Sequence, residues 1–219
     1  AGETEAGEPR VALALVEAAG QDARDRFLVE ANRWIENWDS LSVPGLLEVV
    51  AVDPLAATYV GKCKAQATLA THILKHWPEA KRVTIFRSVA KTMAALHEKG
   101  VVHGSLRPEN VLINAAGEPV IANARLYDLS TACRTDATAA RLHQPFTAPE
   151  VRHGTNANAE SDVYSLGRLL QFVLTGEPPD DKDERLPRVD ALRKADPALM
   201  RIVRKCVSME RDLRYPHAQ

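Results

Sequence analysis

The sequence predicts an α+β fold, with a small sheet lobe followed by a larger helical lobe. Three observations predict it. Short apolar runs punctuated by Pro and Gly occupy the chain up to about residue 64. Beyond that point apolar residues recur at three- and four-residue steps, the period of amphipathic helices. Between the first two strongly periodic stretches lies a hairpin pattern. Strands first and helices afterwards is the α+β order.

Each element follows from local chemistry. Residues 10–16 (Arg-Val-Ala-Leu-Ala-Leu-Val) suit a buried strand. Residues 22–38 read as a helix that places Phe27, Ala31, Trp34 and Ile35 on one face. Pro44 and Gly45 break the chain, and residues 46–52 and 58–60 read as strands on either side of Asp53-Pro54. Residues 83–99 form the clearest helix. Phe86, Val89, Ala90, Met93 and Leu96 make its apolar stripe, and Gly100 supplies its stop. Residues 111–113 and 119–121 make a hairpin around the turn at 114–117. A second helix over 162–175 carries Val163, Leu166, Leu169, Leu170 and Val173, and Gly176 ends it. Asp196-Pro197 opens a third, bearing Leu199, Ile202, Val203 and Cys206.

Composition narrows the function. The chain has 219 residues, a formal net charge of -1 and 45% hydrophobic residues. That charge gives no basis for binding nucleic acid or a membrane surface. Cys63, Cys133 and Cys206 are scattered, with no C-x-x-C pair and no disulfide framework, which points to a reducing cytoplasm. No apolar run has the length of a membrane span. Residues 1–9 are small and acidic, unlike a signal peptide, and read as a linker. The expected organisation is therefore a linker over 1–9, a sheet lobe over 10–64 and a helical lobe over 65–219. The domain is expected in the cytoplasm, alone or as part of a larger protein.

The stretch His103-Gly104-Ser105-Leu106-Arg107-Pro108-Glu109-Asn110-Val111-Leu112-Ile113 resembles the protein-kinase catalytic loop, H-R-D-L-K-P-E-N followed by apolar residues. Other segments resemble the same family in the same order. Residues 11–14 are similar to the V-A-I-K strand, with Ala14 at the Lys. Residues 27–31 are similar to the regulatory helix, with Glu30 at its glutamate. Residues 58–64 are similar to the last lobe strand and hinge, and Gln66-Ala67-Thr68-Leu69 to the start of the next helix. Residues 121–125 stand where D-F-G should be, with Asn123, Ala124 and Arg125 in its three positions. Phe146-Thr147-Ala148-Pro149-Glu150 resembles the A-P-E segment, and residues 160–167 the S-D-V-Y-S-L-G helix. Residues 212–216 resemble the D-x-x-x-R-Y-P end of the bacterial Ser/Thr kinases, one residue off the usual spacing.

This resemblance implies a bilobal protein-kinase-like fold. It also implies a reduced N-lobe sheet, because no Gly-rich loop precedes Arg10. It implies lost chemistry too. The family's phosphate-binding Lys, catalytic Asp and metal-binding Asp are replaced by Ala14, Ser105 and Asn123. Arg107 replaces a Lys, and Gly104 replaces the Arg that pairs with a phosphorylated loop. The expectation is a pseudokinase with no catalytic residue, no metal site, and absent or weak ATP and Mg²⁺ binding. Glu30, Arg107 and Asn110 are the remaining candidates for nucleotide contact. Residual nucleotide binding or weak, unorthodox phosphotransfer is the alternative. His103 is expected to point into the core, which argues against a Ser-His pair. Four residues keep structural roles: His103, Asp162 anchoring the loop backbone, and Glu150 paired with Arg214. The expected partner is a protein, either an active Ser/Thr kinase or a phosphothreonine-binding domain. Thr131, Thr135 and Thr138 are the candidate phosphorylation sites, set against an ordinary polar loop.

Overall fold

Alternating short strands and long helices assemble two sheets and a helical core. The computed structural model describes residues 11–14, 25, 28, 29, 32, 35–53, 58–71, 77–124, 144–179 and 196–218. Glu30, Arg125, Thr131, Cys133, Thr135 and Thr138 lie outside the described residues, as does the side chain of Ala14. Residues 25, 28, 29, 32, 35 and 36 are helical.

Strand β1 (Val11–Ala14) pairs antiparallel with β3 (Thr58–Gly61), which pairs antiparallel with β2 (Val49–Asp53). A second antiparallel sheet has the order β4 (Ala65–Thr68), β5 (Val111–Asn114), β6 (Pro119–Ile121). Residues 45–48 join the two sheets. The Leu47 N–H donates to the Ile121 carbonyl at 2.7 Å, and the Ile121 N–H to the Gly45 carbonyl at 2.7 Å. The Lys62 N–H donates to the Glu48 carbonyl at 2.8 Å. Leu46, expected inside a strand, forms only an isolated bridge to Ile121, because its neighbours bond to the second sheet instead of the first. Gly45 has φ 87°, and a Cβ there would collide with Thr92 Oγ1, which donates to the Pro44 carbonyl at 2.9 Å.

Residues 65–68 correct one expectation. They are a strand, not the opening of a helix. Their backbone groups satisfy the outer edge of β5, with Ala67 opposite Ile113 and Thr68 opposite Leu112. Just beyond, the Thr68 N–H donates to Thr71 Oγ1 at 3.0 Å and the Thr71 N–H to Thr68 Oγ1 at 3.2 Å, closing the turn at 69–71.

After the short α1 (Trp38–Leu41), helix α2 (Glu79–Glu98) buries Ile85, Val89, Thr92, Met93 and Leu96. The short α3 (Pro149–Arg152) leads to α4 (Ala159–Thr175), which starts on an Asn158–Ser161 capping box and ends at Gly176 with φ 72°. Every residue from Ser161 to Val173 is buried, so α4 is packed on all sides. Helix α5 (Pro197–Cys206) begins where Asp196 Oδ1 accepts the Ala198 N–H at 2.7 Å. It buries Val203 and Cys206, while Ile202 is 38% exposed. Ile202 sits about 100° round the helix from Val203.

The main core lies between α2, α4 and the second sheet, and includes Phe146 set edge-on to Phe172 at 6.2 Å. A second cluster of Leu47, Tyr59, Cys63, Leu112 and Ala122 spans both sheets. The α4–α5 crossing requires Gly167, because a Cβ there would lie 2.5 Å from Cys206 Cβ and 2.8 Å from Val207 Cγ1. Gly167→Ala is therefore expected to lower stability by about 1–3 kcal/mol, read from the urea unfolding midpoint.

Candidate functional site

Helix α4 carries Asp162 at its buried N-terminal turn, facing the loop at 103–110. Its Oδ2 accepts the His103 N–H at 2.7 Å, and its Oδ1 the Gly104 N–H at 2.8 Å. His97 adds a third bond, with Nε2 3.0 Å from Oδ2. The Ala218 N–H donates to His97 Nδ1 at 3.1 Å, which leaves the proton on Nε2 and makes His97 the donor to Asp162. Gly104 has φ 75°, in the left-handed region that favours glycine.

His103 is fully buried. Ser105 N–H donates to its Nδ1 at 3.1 Å, so Nε2–H donates to the Ala122 carbonyl at 3.1 Å. Both ring nitrogens are committed with the ring neutral. Burial pushes its pKa down, opposed by Asp162 and the Ala122 bond and aided by the charge of Arg107. Ser105 therefore meets His103 through its backbone, and its hydroxyl has a different neighbour.

That neighbour begins a chain of neutral side chains. Asn110 Nδ2 donates to the Ser105 carbonyl at 2.7 Å and reaches Ser105 Oγ at 3.4 Å. Asn110 Oδ1 accepts from Asn123 Nδ2 at 2.7 Å. Asn123 Oδ1 accepts the Tyr59 hydroxyl proton, and the Asn123 N–H donates back to the Tyr59 oxygen at 3.0 Å. Asn123 has φ 63°, a conformation that Asn tolerates better than most residues. Burial raises the Tyr59 phenol above its ordinary pKa, against the lowering effect of the Asn123 backbone bond. Tyr59 thus stays a neutral donor.

The family's magnesium ion would need hard, charged oxygens here. The residues present do not fit it. Asn123 and Asn110 are neutral amides whose oxygens each already accept a hydrogen bond, and Ser105 carries no charge, so no carboxylate stands among them. Among the described residues no group of three or more His, Cys, Asp or Glu is arranged for a metal ion. Arg107 lies beside this chain with its Nε buried, without a hydrogen bond, 3.7 Å from Glu109 Oε2. Burial lowers the guanidinium pKa, and Glu109 partly offsets it.

Glu150 and Arg214 form the expected pair, bidentate at 2.6 and 2.9 Å. Burial alone would raise the Glu150 carboxyl. The hydrogen bonds and charge of Arg214 outweigh it and hold the pKa below the usual range. Tyr59 and His97 were missed from sequence. Tyr59 read only as an apolar strand residue, and its partner is 64 positions away. His97 sat unmarked at the end of a helix.

Two antiparallel sheets stitched to a helical core, with a loop hung on a buried helix aspartate, define a protein-kinase-like α+β fold. The chain belongs to the protein kinase domain family, whose model matches residues 47–216. It is 29% identical over 167 residues to a probable serine/threonine-protein kinase of Corynebacterium efficiens, covering 71% of this chain and 25% of that protein. It is 35% identical over 105 residues to the serine/threonine-protein kinase PknL of Mycobacterium tuberculosis, covering 48% of this chain and 26% of that one. With a probable kinase PknB of Lactococcus lactis the identity is 29% over 121 residues, covering 53% and 19%. The chain thus spans about a quarter or less of these relatives.

Asp162→Ala strands three donors and should cost at least about 3 kcal/mol, with faster hydrogen exchange at the His103 and Gly104 amides. His103 makes stability pH-dependent. Its folded pKa lies below the unfolded value of about 6.5, so the unfolded chain takes up the proton first. Stability contributed here is complete above about pH 6.5 and declines as the pH falls towards the folded value. His103→Gln should flatten that acid limb in unfolding titrations.

Proposed function

We propose that this chain is a pseudokinase domain that serves as a protein-interaction or regulatory scaffold. The observation that carries the reading is the neutral chain Tyr59–Asn123–Asn110–Ser105. In a phosphotransferase these positions would supply a base and metal oxygens, which act by charge and free lone pairs. Here the side chains are neutral and are hydrogen-bonded to one another in sequence. A positioned general base contributes on the order of 10²–10⁴ in rate, and Ser105 cannot supply one at neutral pH. Ala14 at the phosphate-binding position points the same way from sequence alone. A reduced N-lobe sheet belongs to the same proposal, since the first sheet has three strands among the described residues.

The scaffold's partner is proposed to be an active Ser/Thr kinase or a phosphothreonine-reading domain, with Thr131, Thr135 and Thr138 as the modified positions. Incubation with an active family kinase followed by mass spectrometry tests that step, and unmodified threonines would refute it. A second reading is weak phosphotransfer. It draws on the kinase names of the relatives and on the positive charge kept at Arg107.

Thermal melts with ATP, alone and with Mg²⁺ or Mn²⁺, separate the two readings. The scaffold reading expects no change in melting temperature at millimolar nucleotide. A rise of several degrees that depends on metal would favour the phosphotransferase.

A further inference from the structure

We infer that His97 is a pH-sensitive latch: neutral, it holds residues 215–218 against the helical core, and protonated, it releases them while keeping its grip on the node that anchors the loop at 103–104. His97 stands in the last turn of α2 with its side chain 4% exposed. One ring nitrogen, Nε2, faces Asp162 Oδ2 at 3.0 Å. The other, Nδ1, accepts the Ala218 N–H at 3.1 Å. The ring is thus shared between α4 and the end of the described chain, and its two nitrogens play opposite roles.

A proton changes the two contacts in opposite senses. It enters at Nδ1, the nitrogen that carries the lone pair. Nδ1–H then faces the Ala218 N–H, and a donor confronts a donor. The contact with Asp162 gains charge at the same step and becomes a charge-assisted bond. Acid therefore breaks the outer contact and tightens the inner one. The sign follows from linkage. The docked segment needs the neutral ring, so the released state takes up the proton more readily. Docking is complete while His97 is neutral and is lost as the pH falls through the range in which histidine protonates, between about pH 8 and pH 5.

The contacts of residues 215–218 suit such a release. Arg214 is fixed by Glu150 and by the Ser208 carbonyl at 2.8 Å. Beyond it, among the described residues, the Ala218–His97 bond is the hydrogen bond that ties 215–218 to the rest of the chain. Lys205 Nζ lies 4.2 Å from the Tyr215 ring, and Ala218 packs on the main core. His217 opposes docking, because its Nδ1 is buried without a hydrogen-bond partner among the described residues. A charge on that ring would be costly to bury, so its protonation also favours release. Asp162 faces His97 from α4 and favours the imidazolium whether the segment is docked or released, so it does not decide between them. His103 faces the same carboxylate from the loop through its backbone N–H, and burial, with the charge of Arg107, keeps its own ring neutral. Glu98 and Lys99 flank His97 on α2 and at its end, and Lys99 Nζ donates away from it to the Ser40 carbonyl at 2.7 Å.

Nuclear magnetic resonance of the whole chain between about pH 8 and pH 5 tests this. Nitrogen shifts of the His97 ring report its tautomer and protonation, and amide hydrogen exchange, corrected for its intrinsic pH dependence, reports docking. At the alkaline end the ring should carry its proton on Nε2. On acidification His97 should gain a second proton, and the Ala218 amide should lose protection by at least about tenfold in step with that titration. The His103 and Gly104 amides should keep theirs. His97→Gln retains a donor towards Asp162 without a titrating ring, and its Ala218 protection should not vary with pH over this range. His217→Ala should leave the Ala218 step in place. Any of four results overturns the inference: a His97 ring that stays neutral until the whole fold unfolds, Ala218 protection that does not follow the His97 titration, loss of the step in His217→Ala, or opening of the His103 and Gly104 amides at the same pH as Ala218.

Discussion

The carboxylate of Asp162 is the point on which the rest of the structure depends. It is buried in α4, the helix packed on all sides, and it accepts from two loop amides and one histidine. A buried carboxylate is tolerable only when its oxygens are satisfied. That requirement fixes the start of the loop at His103 and Gly104. His103, once placed, bonds Ser105 and the Ala122 carbonyl, which ties the loop to the residue before Asn123. His97 extends the linkage to the backbone at Ala218, so the end of the described chain and the loop share one node.

A second constraint is charge balance around that loop. Ser105, Asn110, Asn123 and Tyr59 are neutral, and hydrogen bonds link them in one chain. Carboxylates at the Ser105 and Asn123 positions would bring two negative charges close together, a state that needs a cation. The neutral chain needs no such cation.

Much of the fold was legible in the sequence because its signals are local. The apolar stripe of α2, the Asp196-Pro197 start of α5 and the hairpin around residues 114–117 depend on neighbours within a few positions. Glu150 with Arg214, and Asp162 with the loop, were legible only through family resemblance, since each spans more than fifty positions. The errors have physical causes. Residues 65–68 have no strong strand pattern, and their pairing with β5 is a tertiary effect that overrides propensity. Tyr59 was not legible as a site residue, because an apolar strand gives no sign that a hydroxyl meets Asn123 across the two sheets.

The central claim is that a closed neutral network stands where the family's metal chemistry would be. Nuclear magnetic resonance of the Asn110 and Asn123 side-chain amides during titration with Mn²⁺ and ATP tests it most directly. Paramagnetic Mn²⁺ broadens any signal close to it. The account predicts that both amide signals keep their positions and line widths while the metal–nucleotide complex is in excess. Selective broadening of both amides at a stoichiometric metal level would contradict it.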